Sequence, residues 1–130
     1  MNVSTYYEKA LSKFKSAKIL FSFASGDEEQ LNTIGFLLQQ SIELAIKHIF
    51  AINGLPLQKT HDLDQLINFA KENNVDLFLT PYLLEKSDVI TLWETKTRYV
   101  MGFQIEVSRI ENTIIEMDKY FSVLAKKLPY

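Results

Sequence analysis

A row of polar side chains interrupts the most apolar stretch of the sequence, Ile34 to Ile52. At helical spacing the row contains Gln39, Gln40, Glu43 and Lys47. Glu43 and Lys47 stand four residues apart with the acid first, which is the favourable order for an ion pair on a helix. A buried charge is costly unless it is paired. The row is therefore either a paired polar strut within a bundle of helices or one wall of a polar groove that binds a ligand.

A histidine marks the predicted start of another helix. His61 follows Thr60 and precedes Asp62, and aspartate is a preferred residue at a helix N-terminus. The imidazole there has two interpretations. It forms local hydrogen bonds within the turn, or it lies at the rim of the groove that the polar row opens.

Arg98 and Tyr99, together with nearby Lys96, form a third group of candidates. Cationic side chains such as Lys96 and Arg98 bind phosphate, and a tyrosine ring can stack on a nucleic-acid base. The alternative is that Arg98 pairs with an acid such as Glu43 or Glu94 while Tyr99 packs against the protein.

The composition excludes several other kinds of site. The 130 residues include no cysteine and only two histidines, which excludes disulfides, iron–sulfur clusters and thiolate zinc sites. We expect neither a metal nor a cofactor. The sequence has no glycine-rich phosphate loop and no Gly-x-Ser-x-Gly elbow. A formal net charge of −2 excludes binding of nucleic acid through bulk positive charge, although it does not exclude a small basic site.

Long stretches of helical periodicity supply the elements that position these residues. Apolar residues repeat in steps of four and three, the period of packed helices, and no strand pairing is suggested. We predict helices at Val3 to Ala24, about Glu28 to Ile52, His61–Asp62 through Ala70, about Pro81 to Trp93, and Phe103 to Leu128. The predicted fold is all-α, a single domain over residues 1–130: an up-and-down bundle of four main helices plus a short fifth helix. Part of the long last seam is also available to pair with a second chain.

The sequence shows no targeting or membrane signal. Its N-terminus lacks the charged start and apolar run of a secretory signal. No uncharged apolar stretch approaches the roughly 20 residues that span a bilayer. We therefore expect a cytoplasmic protein without membrane contact.

Four short motifs, in order along the chain, resemble those of a known family. The motifs are Leu38 to Lys47, Asn53 to Pro56, Thr60 to Leu63, and Thr97 to Tyr99. Together they resemble the HEPN family (higher eukaryotes and prokaryotes nucleotide-binding domain), in which a QQ-x-x-E-x-x-x-K helix precedes a glycine turn and a THDL helix start. The resemblance implies an α-helical bundle that is commonly dimeric, often encoded beside a small nucleotidyltransferase in a toxin–antitoxin pair.

Other members of this family cut RNA without a metal, using an arginine and a histidine four to six residues further on. Arg98 matches the arginine. The corresponding histidine positions hold Phe103, Gln104 and Ile105, none of which can act as a general acid or base. The proline that usually follows the tyrosine is replaced by Val100. The missing histidine argues against an enzyme.

These observations favour a nucleotide- or RNA-binding module, expected as a homodimer and as the partner of a minimal nucleotidyltransferase. The candidate ligand-binding residues are Gln40, Glu43, Lys47, His61, Arg98 and Tyr99. Two alternatives stay open. One is a metal-independent ribonuclease with a degenerate Arg-x4–6-His motif, in which His61 replaces the missing histidine across space. The other is a non-catalytic dimerisation or interaction module.

Overall fold

The computed structural model describes residues 3–24 and 26–128, with the side chains of residues 6–24, 26–97 and 99–128. Within those residues the chain forms helices and no strand. The helices are α1 (Val3–Phe23), α2 (Glu28–Ile52), α3 (Leu63–Glu72), α4 (Pro81–Glu85), α5 (Ser87–Tyr99) and α6 (Val107–Lys127). The prediction of an all-α helical bundle is confirmed.

Helix α2 forms the centre of the bundle. It packs along α1 over most of its length and also contacts α3, α5 and α6. A helix that is apolar on nearly every side is stable only when other helices cover each side, and α2 has that character. Its start is fixed by Asp27, whose carboxylate accepts hydrogen bonds from the backbone N–H groups of Glu29 at 2.8 Å and Gln30 at 3.2 Å.

Asp62 caps α3 as the sequence predicted. Its side chain accepts hydrogen bonds from the N–H groups of Asp64 at 2.9 Å and Gln65 at 3.3 Å. The N–H of Leu63 donates to Thr91 Oγ1 of α5 at 3.0 Å. The cap and this contact fix the backbone next to His61.

The predicted fourth helix is two helices, α4 and α5, which meet at Lys86. Ser87 follows this junction, and its hydroxyl donates to the carbonyl of Leu84 at 3.1 Å and to the carboxylate of Asp64. A serine hydroxyl competes with the backbone for hydrogen bonds in this way, which accounts for the break in an otherwise apolar pattern.

The last helix begins at Val107, not at Phe103 as predicted. Gly102 has a φ of +77°, and Glu106 is extended at the N-terminus of the helix. Phe103 has the spacing of the helical seam, but it packs against the core from a loop, and its carbonyl accepts a hydrogen bond from Asn32 Nδ2 at 3.1 Å. Arg98 and Tyr99 therefore end α5 and are separated from α6 by this loop.

Most of the apolar seam of α6 is covered inside the single chain. The seam residues Ile110, Ile114, Met117, Phe121 and Leu124 are at most 9% exposed, whereas Val107 at the start of the helix is 48% exposed. That part of the seam pairs with another copy stays a prediction.

Gly35 lets the loop after α5 approach α2 closely. A Cβ atom at this position would lie 2.3 Å from Cδ1 of Ile105 and 3.5 Å from Cδ2 of Trp93. Ile105 is 4% exposed, so its side chain has little room to move. The absence of a side chain at Gly35 is what allows Ile105 to be buried.

We expect Gly35→Ala to destabilise the wild type more than it destabilises the Ile105→Val variant. Valine lacks the Cδ1 atom that the new methyl group would meet, so the clash disappears and the higher helix propensity of alanine, about 0.5–1 kcal/mol, remains. Denaturant unfolding of the two single variants and the double variant measures the difference, expected at about 1 kcal/mol or more. Equal effects of Gly35→Ala in both backgrounds would contradict the contact.

Tyr120 places a hydroxyl in the core. The residue is 0% exposed, and its oxygen has no hydrogen-bond partner among the described residues. Burial raises the pKa of Tyr120 above its ordinary value, and the nearby Asp76 and Tyr7 raise the pKa further. The folded protein therefore keeps this phenol protonated at pH values where the unfolded chain ionises it.

We expect Tyr120→Phe to raise the free energy of unfolding by about 1 kcal/mol, because it removes a buried unsatisfied hydroxyl. The unfolded chain releases the Tyr120 proton above about pH 10 and the folded chain does not, so wild-type stability falls as the pH rises above that value. Thermal unfolding between pH 8 and pH 11 should show a smaller loss of stability for Tyr120→Phe than for the wild type. A destabilised variant with an unchanged alkaline profile would be the contrary result.

Candidate functional site

The Glu43 carboxylate gathers polar side chains from two elements. On α2, Lys47 Nζ donates to Glu43 Oε2 at 2.8 Å, and Gln39 Nε2 donates to Glu43 Oε1 at 3.3 Å. From the connection between α2 and α3, His61 Nδ1 lies 3.0 Å from both carboxylate oxygens. We refer to Gln39, Glu43, Lys47 and His61 as the Glu43 cluster.

Helical spacing and one backbone contact assemble the cluster. Gln39 and Lys47 lie one turn before and one turn after Glu43, so all three share a face of α2. Gln39 Nε2 also donates to the carbonyl oxygen of His61 at 3.0 Å, which holds the connecting backbone against the helix. The Asp62 cap follows immediately. The position of the imidazole is therefore fixed from both sides.

Burial differs sharply within the cluster. The side chains of Glu43 and Lys47 are 8% and 9% exposed, whereas that of His61 is 62% exposed. The ion pair on α2 is thus removed from solvent while the imidazole lies at the surface. The structure thus shows the paired polar strut of the first interpretation, with the exposed His61 ring attached to it, and the ligand-binding groove stays a prediction.

Lys47 also lines a small hollow in the protein surface. Its volume is about 60 Å³, below the roughly 300 Å³ at which small-molecule sites begin. The residues that line it are Tyr6, Lys47, Phe50, Ala51, Leu55, Leu57 and Gln58. The hollow is therefore too small to hold a nucleotide.

Gln39 belongs to the Glu43 cluster and to the polar row of the sequence, but it is not among the candidate ligand-binding residues. Its position four residues before Glu43 was the available signal. Gln40, which was a candidate, is partly buried. Its Oε1 atom is buried without a hydrogen-bond partner among the described residues. The side-chain amide of Gln39, and not that of the predicted residue Gln40, makes the contact with Glu43.

Tyr99 lies far from the Glu43 cluster. It is 72% exposed and lines a cavity of about 410 Å³ with Glu28, Glu29 and Asn32 at the start of α2. Glu43 follows Asn32 by 11 residues on the same helix, a separation of about 16 Å at 1.5 Å per residue. Arg98 precedes Tyr99 in α5, and its side chain lies outside the described residues.

The described candidates therefore fall into two groups along α2. Glu43, Lys47 and His61 meet in one cluster, and Tyr99 lies about three turns of helix away from them. The cavity at Tyr99 is lined by two carboxylates, Glu28 and Glu29, which disfavour phosphate beside them.

A larger cavity lies between α1 and α6 and includes none of the candidate residues. It is an open groove of about 610 Å³, crossed by an ion pair between Lys18 Nζ and Asp118 Oδ1 at 3.0 Å. The rings of Phe14 and Phe121 stack along it with centroids 5.2 Å apart. These aromatic residues belong to the two apolar seams that the sequence pattern assigns to the core.

The described residues contain no group of three or more acidic or histidine side chains that could hold a metal ion. No described helix is long and apolar enough to cross a membrane.

We expect Lys47→Met to lower the free energy of unfolding by about 3 kcal/mol, because it leaves the buried Glu43 carboxylate without its ammonium partner. The matched control is Lys119→Met, which breaks the pair between Lys119 and Glu116. Those side chains are 63% and 18% exposed, and exposed pairs contribute less than about 1 kcal/mol. Denaturant unfolding compares the two. Equal, small losses would mean that the Glu43 ion pair is effectively solvated.

Three comparisons with known proteins accompany this geometry. The chain resembles the crystal structure of TT1696 from Thermus thermophilus with a TM-score of 0.70 and 19% sequence identity, over 98% of this chain and 100% of that one. At that identity the likeness shows the fold alone. Among the curated proteins, none matches the sequence. The family model for the HEPN domain matches residues 3–126, nearly the whole chain, and the chain therefore belongs to the HEPN family.

Proposed function

We propose that this HEPN-family chain binds a nucleotide or RNA through the surface around His61. The observation that carries the proposal is the Glu43 cluster, in which a buried carboxylate holds an imidazole at the protein surface. A side chain restrained in this way contacts a ligand with little further loss of conformational entropy. The name of the family, as a nucleotide-binding domain, supports the same class of ligand.

The separation of the two candidate groups favours an oligonucleotide. A ligand that contacts both His61 and Tyr99 has to extend about 16 Å along α2. Tyr99 is exposed at the end of α5 and would supply a ring on which a base stacks. Arg98, the preceding residue, would contact phosphate and offset the repulsion by Glu28 and Glu29, and Lys47 would support His61 through Glu43.

The degenerate ribonuclease is kept as a second candidate because one contact favours it. An imidazole that donates to a carboxylate through Nδ1 is the usual arrangement of a histidine general base, and His61 and Glu43 have that contact at 3.0 Å. In this candidate His61 takes the place of the histidine that the positions after Arg98 lack.

We infer a homodimer that pairs with a nucleotidyltransferase-type protein in the cytoplasm. Because the α6 seam is buried from Ile110 to Leu124, the surface that supports self-association is the end of α1. Ile19 and Phe23, one turn apart there, are 60% and 81% exposed.

We expect ATP or a short single-stranded RNA to bind the wild type. Arg98→Ala should weaken the affinity about tenfold, the value of one lost charge-assisted hydrogen bond, and His61→Ala should weaken the affinity for RNA about fivefold, the value of one neutral hydrogen bond. Lys119→Ala is the control, since it removes an exposed cation on α6. Fluorescence anisotropy and calorimetry measure the affinities.

Absence of any binding at millimolar ligand would refute the proposal. The same RNA, incubated with the wild type in EDTA, tests the second candidate. Cleavage that is lost in both His61→Ala and Arg98→Ala would support the ribonuclease, and intact RNA would eliminate it.

A further inference from the structure

The hydrogen bond between His61 and Glu43 determines which ring nitrogen faces outward. A carboxylate only accepts hydrogen bonds, so the Nδ1 atom at 3.0 Å from both Glu43 oxygens carries the proton. In the neutral imidazole the proton is then absent from Nε2. That atom lies on the opposite side of the ring from Glu43, and the side chain is 62% exposed.

We infer that His61 accepts a hydrogen bond from a ligand hydroxyl, and that in RNA this hydroxyl is the ribose 2′-OH. This inference rests on the proposed RNA binding and specifies what His61 reads in the ligand. The bare Nε2 lone pair repels phosphate oxygens but is complementary to an O–H donor. The 2′-hydroxyl is the donor by which proteins distinguish RNA from DNA.

Three contacts keep the ring in this orientation. Gln39 Nε2 donates to the His61 carbonyl at 3.0 Å, and the Asp62 cap fixes the next residue. Lys47 donates to Glu43 Oε2 at 2.8 Å, which holds the carboxylate that in turn holds the ring. Glu43 is thus a positioning residue, since it acts on the ligand only through His61.

The test compares two short oligonucleotides of one sequence, one with 2′-hydroxyl groups and one with 2′-fluoro groups. Fluorine keeps an RNA-like sugar and removes the donor. At pH 8 we expect the wild type to bind the hydroxyl form about fivefold more tightly, as one neutral hydrogen bond provides. His61→Ala should bind both forms equally, with its affinity for the fluoro form close to that of the wild type.

Two further variants test whether the preference for the hydroxyl form depends on the tautomer of His61 and not only on the presence of its ring. In Glu43→Met no side-chain atom accepts a hydrogen bond from Nδ1, so the ring is no longer held in the Nδ1–H form and the preference for the hydroxyl form should shrink. Lys119→Met is the control because it removes an exposed cation of α6 outside the Glu43 cluster and leaves the hydrogen bond between His61 and Glu43. It should keep the fivefold preference, with thermal unfolding showing that both variants are folded.

A measurement without ligand tests the same inference independently of the variants. The ¹⁵N chemical shifts of the imidazole nitrogens report which of them is protonated, and His61→Ala assigns the signals, since His48 is the other histidine. We expect the Nδ1–H form for His61. The Nε2–H form would overturn the inference.

The binding results also distinguish the two levels of the proposal. Equal binding of the hydroxyl and fluoro forms by the wild type would overturn the role of His61 and leave RNA binding in place. Failure of both forms to bind at millimolar concentration would overturn RNA binding, and the role of His61 with it.

Discussion

A carboxylate in the middle of a buried helix is stable only if donors surround it. Glu43 meets this condition with one amide and one ammonium from its own helix and one imidazole from the next connection. The last of these donors cannot be supplied by α2. The segment after α2 must therefore return to the helix at His61 before α3 begins, so the electrostatic requirement of one side chain constrains the path of the chain.

This constraint also explains how one site combines rigidity with access. The buried pair of Glu43 and Lys47 belongs to the core of the bundle, while His61 lies at its surface. A ligand at His61 would contact a ring whose orientation is set by Glu43 and Lys47, two buried residues that the ligand itself does not contact. The start of α2 is different, because Tyr99 is exposed there beside Glu28 and Glu29, in a cavity with a partly buried amide, Asn32. The start and the middle of the central helix thus offer different chemistry to a ligand.

Most of the fold was predictable because helical periodicity is a local property of the sequence. The buried α2, the capped start of α3 and the seam of α6 all follow from spacing alone. The errors occurred where a polar contact or a backbone angle overrode the apolar pattern. Ser87 divides the predicted fourth helix by bonding to Leu84 and Asp64, and Gly102 with its positive φ leaves Phe103 in a loop. Neither effect can be recognised from the spacing of the apolar residues in the sequence.

For the site, the sequence by itself determined that Glu43 and Lys47 face one another, because residues four apart on a helix are neighbours. It also placed His61 directly before a helix cap. Only the tertiary structure decided that His61 returns to Glu43 across 18 residues, that Gln39 and not Gln40 joins them, and that Tyr99 lies elsewhere. The physical reason is that such contacts depend on how connections fold back over the bundle, whereas periodicity describes each helix separately.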